Sequence, residues 1–267
     1  MIVQKSLILS FFLFFIITVS CNEEVLINDE TESSLEDDII INEKDSNDII
    51  IEKLIQSLIT NRNVEQKLKE YGEKNPETSI VMYTKYGKLK FTLYKNTPLH
   101  RANFVMLAKR KFYDNTLFYR IIDNFMIQGG NSDNPELNSK LNEIGAYRIP
   151  NEISSSRFHK KGALAMAVSP EEQRFGKKSS SINFYIIEGR KMNSSYFKMK
   201  EEEGKKFSKK QKEIYSTKGG APHLDGNYTV FGELVSGFST LNRISKIKKD
   251  KYDWPIKDFY IDSIRAF

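Results

Sequence analysis

Apolar and polar positions follow two different rhythms along the 267 residues, and the rhythm changes near Ser79. Before that point, an apolar run from Ser6 to Val19 is followed by a polar stretch with no period through residue 47. Ile51, Leu54, Ile55, Leu58 and Ile59 then fall at i, i+3, i+4, i+7 and i+8, which predicts an amphipathic helix. Val64, Leu68 and Tyr71 predict a second short helix, broken by Gly72 to Pro76. From Ser79 the period drops towards two. Ile80–Tyr86 and Leu89–Tyr94 predict a hairpin around Gly87-Lys88. Thr97-Pro98 offers an N-cap and a proline at the first helical position, and Ala102, Val105, Met106 and Ala108 carry a helix to near Phe112. More strands are predicted at Phe118–Ile122, Met126–Gly130, Gly162–Val168, Asn183–Ile187, Tyr228–Leu234 and Phe259–Ile264, with a second helix at Phe238–Ile247. Eight short strands with one helix near each end predict a mainly β fold. Its expected form is a closed eight-stranded antiparallel barrel capped by two helices, with an N-terminal helical extension.

The most informative stretch is Phe118 to Gly130, FYRIIDNFMIQGG, read as strand, polar turn and strand. Simple alternation places Phe118, Arg120 and Ile122 on one face, and Met126 and Gln128 on one face of the next strand. An arginine and a glutamine among large apolar residues do not suit a strand buried on both faces. They suit a strand that flanks a binding groove.

Composition narrows the classes. At 39% hydrophobic and 12% aromatic the chain can bury a core, and with Cys21 as its single cysteine it cannot form an intrachain disulfide. The net charge of +6 is unevenly spread: residues 22–50 carry eleven acids against Lys44 alone. The expected organisation is a signal peptide at 1–20, an acidic disordered tether at 21–47, a helical extension at 48–76 and a β domain at 77–267. A charged, partly helical insertion at about 190–219 interrupts that domain. It holds ten bases and four acids between Arg190 and Lys218. It reads either as a solvated excursion or as a flank for an acidic partner. The basic body does not make a nucleic-acid binder: the lysines are scattered, without helix-turn-helix, zinc finger or aromatic RNA-binding motif. His100, His159 and His223 lack metal-ligand spacing, and no phosphate loop, nucleophile elbow or HExxH is present. No metal or cofactor is therefore expected. What remains is an arginine in an apolar groove with amide and hydroxyl companions.

That segment resembles the signature of cyclophilin-type peptidyl-prolyl isomerases, F-x-R-x-I…F-M-x-Q-G-G. Leu164-Ala165-Met166-Ala167 resembles the family's groove strand, and Asn183-Phe184-Tyr185-Ile186 its Q-F-F/Y-I strand. Leu224 through Gly232, LDGNYTVFG, resembles L-D-G-x-H/Y-x-V-F-G, and Thr97-Pro98 through Asp114 resembles the helix before the signature. The resemblance covers about residues 78–267. It implies that Arg120 is the catalytic arginine and that Phe125, Met126, Tyr185 and Leu224 form an apolar pocket for the proline ring. It implies that Gln128 binds the substrate backbone and steadies Arg120, that Ala167 and Asn183 line the groove, and that Tyr228 closes it. Asn183, Val168 and His223 depart from the glutamine, asparagine and tryptophan of eukaryotic members. The expected activity is isomerisation of X-Pro bonds in proteins folding in the cell envelope. The alternative is a non-catalytic peptide-binding chaperone or scaffold on the same fold.

The leader adds a location. Ser6–Val19 is too short and one-sided for a transmembrane helix and reads as a signal-peptide core. Cys21 directly after it resembles a bacterial lipobox, with Thr18 where an aliphatic residue is usual. The resemblance implies lipidation at Cys21 and a monomeric, membrane-anchored protein of the bacterial envelope, facing the periplasm or the outside. Its expected partners are proline-containing polypeptides and the membrane.

Overall fold

Why the chain from Ser79 onward closes on itself is visible in its pairing. Strand β1 (Ser79–Thr84) and β2 (Gly87–Leu93) form a hairpin in register Thr84↔Gly87, so the turn is Lys85-Tyr86 and Gly87 already begins a strand, two residues earlier than the glycine alone suggested. The computed structural model describes residues 58–131 and 135–267. The remaining strands are β3 (Thr116–Ile122), β4 (Met126–Asn131), β5 (Arg148–Ile149), β6 (Ala163–Met166), β7 (Ser179–Ser180), β8 (Phe184–Ile187), β9 (Val230–Ser236), β10 (Tyr260–Ile261) and β11 (Ser263–Ala266). Nine of them form one antiparallel sheet in the order β10-β3-β4-β8-β6-β9-β2-β1-β11, and β5 pairs with β7 apart from it. The eight strands expected become nine because the last run breaks at Asp262, whose N–H donates to Tyr83 O. The halves on either side pair with opposite ends of the sheet, β10 with β3 and β11 with β1, and so bring the barrel nearly to closure.

Helices α1 (Val64–Lys74), α2 (Pro98–Lys109), α3 (Pro135–Ile144), α4 (Pro170–Phe175), α5 (Ser194–Glu202), α6 (Lys209–Thr217) and α7 (Phe238–Ser245) complete the described part, with a 3-10 turn at Pro222–Leu224. α7 packs on β2 and on the β3–β4 pair, which lie apart in the sheet, so it spans an opening of the barrel. α2 is buried almost all round, as a helix held between a barrel and a second helix must be. Its Phe104 meets Tyr113, Phe184 and Phe231 with ring centroids 5.0, 5.3 and 5.2 Å away. The other side carries α1, where Val64 and Leu68 are buried. α1 does not end at Gly72. A Cβ there would sit 3.1 Å from Ala102 Cβ, so the glycine allows close helix approach within a continuing helix.

The N-terminus of α2 is capped in an unexpected way. The Thr97 side chain donates to Tyr94 O rather than capping. Leu99 N–H and His100 N–H instead donate to the Glu152 carboxylate at 3.1 and 3.0 Å, a negative charge on the positive end of the helix. The expected helix at residues 51–59 lies mostly outside the described residues. At its end Ile59 is not helical, and its N–H donates to Ile144 O at 2.8 Å. The signal peptide, the acidic tether and Cys21 also lie outside the described residues. The charged insertion is more than a solvated excursion. α5 and α6 enclose an apolar cluster of Phe158, Met192, Phe197 and Tyr215.

Candidate active site

Two irregularities in the β3–β4 pairing aim the arginine. The register runs Leu117↔Asn131, Phe118↔Gly129, Arg120↔Gln128, which leaves Gly130 extra on β4 and Tyr119 extra on β3. Gly130 takes φ +102°, and a Cβ there would lie 2.1 Å from Ile182 O, so this bulge requires glycine. The bulge at Tyr119 overturns simple alternation. Phe118 and Ile121 both enter the barrel core, while Arg120 is exposed and Ile122 packs on the opposite side. Phe118 therefore does not share a face with Arg120.

Beyond the bulge, alternation holds. Ile127, Leu164, Ile186 and Phe231 point into the barrel core. Their neighbours Met126, Ala163, Ala165, Tyr185 and Val230 form a second apolar cluster on the other face, joined by Phe125, Ala167, Leu224 and Tyr228. The two alanines keep the floor low. The result is a cavity of about 250 Å³ lined by Arg120, Phe125, Met126, Gln128, Ala167, Val168, Pro170, Tyr185, Leu224 and Tyr228. Eight of the nine residues expected to catalyse or bind thus meet in one place. Asn183 does not. It lines a neighbouring cavity with Ser180, Ser181 and Ile182, and its Oδ1 is buried without a partner among the described residues. Only its backbone reaches the groove strand, where its carbonyl accepts from Ala167 N–H at 2.8 Å. His223 also stands outside the cavity and packs its ring on Phe125 with centroids 5.0 Å apart.

Arg120 and Gln128 face each other across the strand pair but are held by different partners. Gln128 Nε2 donates to Tyr119 Oη at 2.6 Å. The Arg120 Nε lies 3.8 Å from Asp253 Oδ2, and its terminal nitrogens have no partner among the described residues. Asp253 adopts φ +68°, and its carbonyl accepts from Ile121 N–H at 2.9 Å, which pins the loop before β10 beside the arginine. Tyr119 and Asp253 were not visible as site residues in the sequence. Tyr119 is signalled only by the bulge, and Asp253 lies too far along the chain for any local pattern.

Under the cavity floor runs a buried network that sequence reading also missed. The Asp225 carboxylate accepts from His159 N–H at 2.9 Å, from His159 Nδ1 at 2.8 Å and from Tyr215 Oη–H at 2.6 Å. His159 Nε2 then meets the Tyr185 hydroxyl at 3.0 Å, and the two rings stack 10° from parallel. Burial first, and then the Asp225 charge, pushes the Tyr215 phenol far up, which keeps it a donor. Insertion helix α6 is thereby tied to the proline-side wall. Tyr215→Phe should lower stability by roughly 1.5–3 kcal/mol, the worth of a hydrogen bond to a charged group, as read by urea unfolding. No change would mean that water replaces the hydroxyl.

The family description "Cyclophilin type peptidyl-prolyl cis-trans isomerase/CLD" matches residues 79–266. This chain is a cyclophilin. The cyclophilin is 33% identical over 189 residues to a Staphylococcus aureus (strain USA300) protein named "Putative peptidyl-prolyl cis-trans isomerase", covering 70% of this chain and 91% of that one. A Staphylococcus epidermidis protein of the same name is 32% identical over the same shares. Among solved structures, a cyclophilin of Cryptosporidium parvum crystallised in the presence of the dipeptide Ala-Pro superposes with TM-score 0.51 at 26% identity, over 71% of this chain and 98% of that one. The match runs through the insertion of this cyclophilin and stops short of its leader.

Proposed function

We propose that this cyclophilin accelerates cis/trans isomerisation of X-Pro bonds in polypeptide substrates. The observation that carries the reading is a guanidinium whose terminal donors have no partner among the described residues, at the rim of an open, largely apolar cavity. The reaction needs little else. Resonance sets a rotation barrier of roughly 18–20 kcal/mol, and no bond is broken. In the twisted transition state the amide loses resonance and a lone pair localises on the proline nitrogen. A donor aimed at that nitrogen stabilises the transition state more than either planar ground state. Arg120 supplies a permanently charged, rigid fork. Phe125, Met126, Tyr185 and Leu224 hold the ring, and Tyr228 closes over it. The Ala-Pro dipeptide of the Cryptosporidium relative supports a proline-containing ligand. The test is NMR exchange on a short X-Pro peptide with the 77–267 segment inside the full mature chain. Exchange no faster than in buffer would overturn the proposal.

The sequence supports an envelope setting for this activity. Lysine, an apolar core and Cys21 form a lipobox-like leader, followed by an acidic stretch suited to hold the domain off a membrane. Cys21→Ser should move the protein from the membrane fraction to the soluble one. A variant that stays with the membrane would remove the lipid anchor from this account.

A further inference from the structure

A second cavity, about 330 Å³, opens beside the first and is lined by Asp123, Asn124, Phe125, Arg190, Met192, Tyr196, Gly220 and His223. Phe125 belongs to both, so one ring separates them. One wall comes from the turn of the signature hairpin, the other from the charged insertion. The established motifs of the groove do not account for it.

Its walls carry polar and apolar surface in similar measure, and its charge is unbalanced. Met192, Phe125 and the His223 ring supply the apolar surface. Burial first, and then nearby positive groups including Lys205 and Arg190, hold the His223 ring below its usual range, against an opposing pull from Asp225. Arg190 is exposed and makes no ion pair among the described residues. Asp123, the one acid on the lining, is already matched by Lys249 and by Lys246 at 3.7 Å. Lys205 is fixed close by, its Nζ donating to Pro222 O at 2.8 Å. The uncompensated charge in the cavity is therefore positive.

We propose that this cavity is a substrate subsite which takes an acidic side chain flanking the target proline, with Arg190 as its counter-ion. The inference rests on the isomerase reading above. An extended chain advances about 3.3–3.6 Å per residue, so a residue one or two positions from a proline seated against Phe125 reaches the far side of that ring. The insertion then sets sequence preference, and the acidic-partner reading of its lysines narrows to one arginine.

The test is a set of X-Pro peptides with a single Glu, Gln or Lys scanned over two positions on each side of the proline, measured by NMR exchange with the full mature chain. Wild type should prefer Glu over Gln by roughly two- to fivefold in kcat/KM, the range of a partly exposed ion pair, and on one side of the proline only. The preference should shrink as salt rises. Arg190→Ala should bring the Glu-to-Gln ratio to about one, and Arg190→Glu should turn it towards Lys. A flat wild-type profile with every peptide turned over would overturn the subsite and leave the isomerase standing. A preference that survives Arg190→Ala would overturn it as well. Turnover of no peptide at all would remove the isomerase reading and the subsite with it.

Discussion

Arg120→Ala should lower kcat/KM for X-Pro isomerisation by about 10²–10³-fold, the loss seen when one directed donor to a transition state is removed. Stability should move by no more than roughly 0.5 kcal/mol. The two effects separate because the side chain is 48% exposed and its pair with Asp253 is long and half-solvated. Loss of activity with an unchanged unfolding curve would therefore report chemistry and not folding. Arg120→Lys keeps the charge but loses the planar fork, so it should fall between the two. NMR exchange rates and urea unfolding on the same samples check both halves. If Arg120→Ala turned peptides over at the wild-type rate, Arg120 would not be the catalytic donor; the non-catalytic chaperone alternative takes its place only if the wild type itself exchanges peptides no faster than buffer.

Asp225→Ala should have the largest effect on stability, about 3–5 kcal/mol, as expected when one charged member of a buried network is removed. The carboxylate accepts three hydrogen bonds from His159 and Tyr215, both almost wholly buried. Alanine leaves those donors with nothing in reach. The same change should raise KM more than it lowers kcat, because His159 orients the Tyr185 wall of the proline cavity and does not touch the reacting amide. Adding Tyr215→Phe to Asp225→Ala should cost little more, since both remove the same contact. A fully additive double variant would show that Tyr215 acts independently of the network. Urea unfolding and a KM-against-kcat comparison measure these outcomes.

Much of the domain was legible because it is written in local pattern. Period-two runs marked each barrel strand to within a few residues, and period 3.6 marked α1, α2 and α7. The cavity was legible for the same reason. Met126 and Gln128 on β4 alternate with Ile127, which enters the core. Phe125, Leu224 and Tyr228 sit at strand ends and turns, and Tyr185 on β8; only the likeness to a known family pointed to these four.

What the sequence by itself determined was most of the barrel strands and the rank of Arg120 as the candidate donor, in a chain without nucleophile or metal-ligand motifs. The split of the last run into β10 and β11 and the separate β5–β7 pair came only with the structure. Tertiary structure alone decided which way Arg120 points and what holds it. The bulges at Tyr119 and Gly130 arise from a register imposed by β4 and by Ile182, so alternation counted along β3 mispairs Phe118 with Arg120. The helix cap of α2 by Glu152, the pinning of the arginine by Asp253, and the Asp225–His159–Tyr185 network join residues tens to more than a hundred positions apart. Such bonds depend on where the nearly closed barrel places each group. No periodicity within a single strand or helix can encode them.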